Sequence, residues 1–261
     1  MRGRALKLSA PRRLVSDLMR FSMVVPRVTV QRQMNLGPLL QARRGLDIRP
    51  SWTVIFLKGY GLLSQAVPEL RRAYIKLPWP QLYEYPASVA SIAFEREYKG
   101  EQAVLLALIK GPERRKIPEL QAFVQAMRSR PVPEIKEFRR ALAMARAPAP
   151  LRRLSMWLGL NLGRQRANYF GTFQLSVYSA LGAESLNPLT PLTSLLNYGP
   201  IGEDGSVTVR IHYDHRVMDG ANVARALEKF EEILNGPVAD EVRQLGQAAA
   251  APPAREHHRR A

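Results

Sequence analysis

Residues 206–236, SVTVRIHYDHRVMDGANVARALEKFEEILNG, change their hydrophobic period halfway along. Val207, Val209, Ile211 and Tyr213 alternate with Thr208, Arg210, His212 and Asp214, the period of two expected of a strand with one face on a core. From Ala221 onward the apolar residues recur at helical spacing, and Gly236-Pro237 marks the stop. A strand that feeds an amphipathic helix through a turn of a few residues has to bury the apolar side of both. The chain therefore needs a sheet with helices laid on it.

The remaining sequence supplies both kinds of element. Leu14, Leu18, Phe21 and Val25 predict a helix over 12–25, ended by Pro26, with RVTVQRQMN as a strand and a short helix from Leu36 to Arg44 after it. SWTVIFLKGYGLLSQAVPEL predicts a helix capped by Ser51, while Pro78, Pro80 and Pro86 predict an irregular loop. Segments 88–97 and 102–110 are predicted strands joined at Gly100, and KIPELQAFVQAMRSR is a further helix. YFGTFQLSVYSALG reads as strand, followed by the Pro-rich LNPLTPLTSLLNYGPI. With no internal repeat and no long linker, one domain over 1–238 is expected. The 239–261 tail, which includes AAAAPPAREHHRRA, is expected to be disordered.

Hydrophobic and charged contents of 46% and 23% are those of an ordinary globular chain, and no run of 18 apolar residues predicts a membrane span. MRGRALKLSAPRRL lacks the apolar segment of a signal peptide. The absence of cysteine removes disulfides, thiolate metal sites and cysteine nucleophiles, so no metal is expected and a cytoplasmic location fits. The net charge of +17 attracts anions of any kind: nucleic acid, lipid, acidic protein or a phosphorylated co-substrate. No zinc-finger spacing or aromatic RNA-binding signature accompanies it, which sets nucleic acid aside. Residues 138–183 hold seven arginines and no acidic residue. There, Trp157, Leu158, Leu160 and Leu162 accompany Arg152, Arg153, Arg164 and Arg166, so the helix either buries its apolar side or docks on an anionic membrane surface or acidic partner.

Of four histidines, His257 and His258 fall in the tail, and His212, in mid-strand, is expected to be partly exposed. His215 stands where the strand ends, and an imidazole with a pKa of about 6.5 can take a proton near neutral pH. Asp219 reads equally well as the N-cap of the following helix. By themselves the residues leave both readings open, a turn histidine beside a capping aspartate or a catalytic base.

YDHRVMDGANVARALEKFEEIL resembles the active-site segment of the acyltransferase catalytic domains of 2-oxoacid dehydrogenase complexes, relatives of chloramphenicol acetyltransferase that share its His-x-x-x-Asp-Gly motif. YFGTFQLSVYSALG is similar to the family's Gly-Thr-Phe-Thr-Ile-Ser segment and LTPLTSLLNYGPI to its Pro-rich strand. RRLVSDLMRFSMVVP is similar to its opening helix, and TVIFLKGYGLLSQAVPEL to its lysine-containing helix. The four segments follow family order over most of residues 9–236.

The resemblance implies an α/β fold, a two-layer α+β sandwich with a mixed sheet flanked by helices. It implies His215 as general base, Ser176 as oxyanion donor with Ser179 as the alternative register, and Asp219 as a structural carboxylate paired with Arg12. Lys58 and the arginines of 139–166 would contact a coenzyme A thioester or an acyl carrier protein. It further implies a homotrimer with each site between two subunits. The core begins almost at Met1, so a stand-alone enzyme without a lipoyl domain in cis is expected. Two rival readings are a trimeric scaffold that has lost turnover and a membrane-surface protein acting through the 151–166 helix.

Overall fold

The structure is a computed structural model, and it describes residues 1–250. In chain order the elements are α1 (Ala10–Ser22), β1 (Arg27–Asn35), α2 (Gly37–Arg44), α3 (Trp52–Ala66), β2 (Arg72–Ile75) and β3 (Gln81–Glu84). They continue with β4 (Val89–Tyr98), β5 (Glu101–Lys110), α4 (Ile117–Ser129), α5 (Lys136–Arg146), α6 (Ala149–Asn161) and α7 (Gly163–Tyr169). The last are β6 (Phe173–Leu175), β7 (Ser194–Tyr198), β8 (Ser206–Asp214), α8 (Gly220–Ile233) and α9 (Ala239–Ala250).

Six strands form one mixed sheet in the order β1-β8-β7-β6-β4-β5. β6 lies parallel to β4 and to β7, and the other neighbours are antiparallel. This is the mixed sheet with flanking helices expected from the sequence. Val207, Val209, Ile211 and Tyr213 project from β8 into the core, as their alternation predicts, in one cluster with the buried side chains of α3 and α8. Phe56 of α3 stacks on Tyr198 at 3.8 Å between centroids and meets Phe230 of α8 edge-on, and the Tyr60 hydroxyl donates to Ser194 Oγ at 2.9 Å. β6 begins after Gly171 at φ +98°, where an added Cβ would lie 2.9 Å from the Val89 carbonyl, so only glycine lets the chain enter between β4 and β7 there.

Three elements differ from expectation. The proline-marked loop contains the hairpin β2–β3, because Pro78 and Pro80 fall between its two strands rather than in them. The strand read from Tyr169 shrinks to Phe173–Leu175, since Gly163–Tyr169 continue as helix. The expected tail does not begin at 239: Ala239–Ala250 is a helix that packs on α2 and buries Ala239 and Val242. Residues 251–261, with His257 and His258, lie outside the described residues.

The arginines of 152–166 are mostly structural. Arg152 is buried, with its guanidinium on Asp17 of α1 and on the carbonyls of Ala145 and Ala147 at the end of α5. Arg153 also pairs with Asp17, at 2.9 Å. Arg166 is buried on the carbonyls of Tyr74, Leu160 and Pro191. Only Arg164 of the four is exposed without an ion pair among the described residues. The basic amphipathic helix read from the sequence is thereby overturned for Arg152 and Arg166.

Candidate active site

β8 carries the site. At its end Asp214 donates its N–H to the Thr193 carbonyl of the loop before β7, and His215 donates its own to Pro26, just before β1. Asp214 is fully buried, and its carboxylate accepts three N–H groups of Arg216: the backbone N–H at 3.0 Å, Nε at 2.9 Å and the second guanidinium nitrogen at 2.7 Å. The Arg216 guanidinium lies 4.4 Å over the Tyr74 ring of β2. His215 is therefore flanked on both sides by residues clamped to each other, while its own ring stays about half exposed, 5.8 Å from the Tyr213 ring. Arg27 backs the turn by donating to the carbonyls of His212, Thr190 and Leu192, and burial pushes its guanidinium down to about 10. None of Asp214, Arg216 and Arg27 was singled out from the sequence. The acid and base flanking His215 were the available signal.

Asp219 does neither of the things expected of its side chain. It occupies the N-cap position of α8 without a side-chain cap bond, and only its carbonyl accepts the N–H groups of Asn222 and Val223. Its carboxylate is mostly solvent-exposed, with His215 Nδ1 at 3.5 Å. Arg12 is not its partner within the chain: it is exposed on α1, donating its backbone N–H to Ser9 Oγ. α1 packs on α5 and on β5, four strands across the sheet from β8, which is roughly 19 Å of lateral spacing. Arg12→Ala should accordingly change the stability by no more than about 0.5 kcal/mol. A large loss in a thermal scan would contradict this placement.

Lys58 does not face a co-substrate either. It is buried in α3, donates to the carbonyls of Glu113 and Arg115 at 3.0 and 2.7 Å, and pairs with Glu241 of α9 at 3.2 Å. All three ammonium protons are engaged, so none is free for a phosphate.

Ser176 follows β6 directly. It is buried, donates its backbone N–H to the Leu196 carbonyl, and accepts a hydrogen bond from Asn197 Nδ2 on its own backbone carbonyl at 2.8 Å. Ser179 starts a short 3-10 turn further on. The strand register separates Ser176 from His215. Tyr213 pairs with Ser194, so His215 lies level with Leu192; Leu175 pairs with Leu196, so Ser176 lies level with Asn197. A five-residue offset across two strand spacings puts them on the order of 20 Å apart. Neither of two surface depressions, of about 380 and 290 Å³, is lined by either residue.

His212 is fully buried rather than partly exposed. Its Nδ1 is 2.7 Å from Thr29 Oγ1, its Nε2 has no partner, and burial followed by the charges of Arg27 and Arg210 holds it down to about 4. A group whose folded pKa lies below its unfolded value of about 6.5 contributes fully above that pH and loses its contribution as pH falls toward 4, about 3 kcal/mol in all. Urea midpoints should drop over that window and stay flatter in His212→Gln. An identical slope in both proteins would remove His212 from the cause.

No family model matches the chain, and no curated protein matches it. Solved structures do. The dihydrolipoamide acetyltransferase of Azotobacter vinelandii superposes with a TM-score of 0.66 at 16% identity, covering 91% of this chain and 93% of that one. The cubic core of a pyruvate dehydrogenase multienzyme complex gives 0.62 at 17%, covering 91% and 93%. Chloramphenicol acetyltransferase gives 0.52 at 14%, covering 85% and 94%. The chain thus has the fold of the dihydrolipoamide acetyltransferase catalytic cores and of chloramphenicol acetyltransferase.

Proposed function

We propose that the protein is an acyltransferase that moves an acyl group from a coenzyme A or carrier-protein thioester directly to a thiol, hydroxyl or amine. The observation that carries this reading is His215, presented half-exposed at the end of β8 between the clamped Asp214 and Arg216, in a fold used by two kinds of acetyltransferase. The Azotobacter enzyme has been probed for the role of a serine, a histidine and an asparagine in its catalytic mechanism, the last two four positions apart. His215 and Asp219 have the same spacing.

In the proposed reaction His215 takes the proton of the acceptor as its heteroatom attacks the thioester carbonyl. The tetrahedral oxyanion accepts a hydrogen bond from a Ser176 hydroxyl. Collapse breaks the carbon–sulfur bond, and the departing thiolate takes the proton back from the imidazole. With Ser176 and His215 at opposite ends of one sheet, each site needs His215 of one copy and Ser176 of another, which a closed trimer provides three times over. The +17 charge favours a phosphorylated or acidic donor. Turnover of acyl-coenzyme A against thiols, alcohols and amines tests the reading: acceptor-dependent release of free thiol is expected from the parent. A parent inert with coenzyme A and carrier thioesters alike would overturn it.

A further inference from the structure

α6 is turned inside out for a surface helix. Its buried line is thin: Arg152, Met156 and Leu160, four residues apart. At 100° per residue the opposite side presents Leu151, Leu154 and Leu158, and Leu162 just past the helix end continues the line. These leucines are 57%, 53%, 38% and 39% exposed, with Trp157 beside them at 36%. A helix of 13 residues that puts leucines outward and an arginine inward is built to be covered.

The charges around this face identify the cover. Residues 138–183 contain no carboxylate at all. The one carboxylate that α6 uses, Asp17, is buried beneath it and consumed by Arg152 and Arg153. At the C-terminal end Leu162 and Arg164 line a groove with Leu77, Pro78 and Tyr83, and the neighbouring Trp79 is 65% exposed. A leucine stripe with Trp157 and Trp79 at its margins, the exposed Arg164 at its end and no carboxylate on α6 or α7 is complementary to the headgroup boundary of an anionic bilayer. A two-fold contact of this face with its own copy would bring arginine against arginine in a chain that already carries +17; burial against a different face of another copy is the outcome that the oligomeric state of the variants reads out.

We propose that α6 lies in the plane of an anionic membrane, seating Leu151, Leu154, Leu158 and Leu162 among the acyl chains and Arg164 at the phosphates. The contact is peripheral, since no helix of the described residues is long and apolar enough to cross a membrane. This inference does not depend on the acyl-transfer reading. Flotation of the full chain with phosphatidylcholine vesicles, with and without phosphatidylglycerol, tests it. The parent should float only with the anionic vesicles, less so in high salt, with a blue shift in tryptophan emission. Leu154→Glu with Leu158→Glu should lower partitioning about ten-fold or more while circular dichroism and oligomeric state stay as in the parent. Leu154→Ser with Leu158→Ser provides a milder pair should the glutamates disturb folding. A parent that ignores anionic vesicles overturns the proposal, as do variants that float equally well. A parent whose binding to an acidic carrier protein is lost in the Leu154→Glu, Leu158→Glu variant, or a variant that changes oligomeric state, assigns the face to a protein and equally overturns it.

Discussion

His215→Ala and Ser176→Ala proteins, each nearly inactive alone, should regain activity when dissociated, mixed and reassembled. His215→Ala removes the proposed base, an expected loss of about 10²–10⁴-fold. Ser176→Ala removes the proposed oxyanion donor, an expected loss of about 10²–10³-fold. The strand register makes the mixture informative, because the two residues lie at opposite ends of the sheet and cannot meet in one chain. If a site takes its histidine from one copy and its serine from the next, random mixing of equal amounts rebuilds about a quarter of the sites with both groups intact. The mixture should then turn over at about a quarter of the parental rate. A mixture no faster than its components would mean that the serine and histidine do not cooperate across subunits.

Asp214, Arg216 and Arg27, rather than the side chain of Asp219, make the hydrogen bonds that hold the turn around His215. Backbone bonds from Asp214 to Thr193 and from His215 to Pro26 tie the turn to two other segments. The Asp214–Arg216 fork then fixes the side-chain direction on either side of His215. Asp219, mostly in water, can be changed with less consequence for the loop than Asp214.

Where the sequence was legible, one physical rule dominated the segment. β8 and α8 were readable because each buries one face against the same core, so periods of two and 3.6 survive in the residues. The second face of β8 misled for the same reason. Thr208, Arg210, His212 and Asp214 look like a solvated side, yet the last three are buried. Arg27 and the loop carrying Thr190 and Leu192 close over His212, while Glu184 pairs with Arg210, and nothing in a strand's own period records what a distant loop covers. Ser176 and His215 were recoverable only as motif positions, since their separation depends on strand order. Lys58 and Arg12 were misassigned because a side chain's type does not reveal its partners: a lysine that looks free for phosphate is the cap of two carbonyls. The outward leucines of α6 are the clearest case. Its composition announced an amphipathic helix, but which side faced the protein was decided by Asp17, 135 residues away.

Asp17→Ala should be among the most destabilising single changes in the chain. The carboxylate is 1% exposed and receives Nε of both Arg152 and Arg153. Burial raises its pKa, but the hydrogen bonds and charges of the two arginines outweigh that and hold it below the usual carboxylate value. Such a group contributes stability above its unfolded pKa and loses it as pH falls through the folded one. Removing it leaves the Arg152 guanidinium buried with only the carbonyls of Ala145 and Ala147. An uncompensated buried charge of this kind costs about 3–5 kcal/mol, which in a domain of this size lowers the melting temperature by about 6–20 °C. The double change Asp17→Leu with Arg152→Met removes both charges and should restore most of that loss, because replacing a buried pair by apolar groups is often neutral. If Asp17→Ala and Arg152→Met alone each melt like the parent, α1 and α6 are held together by something other than this pair.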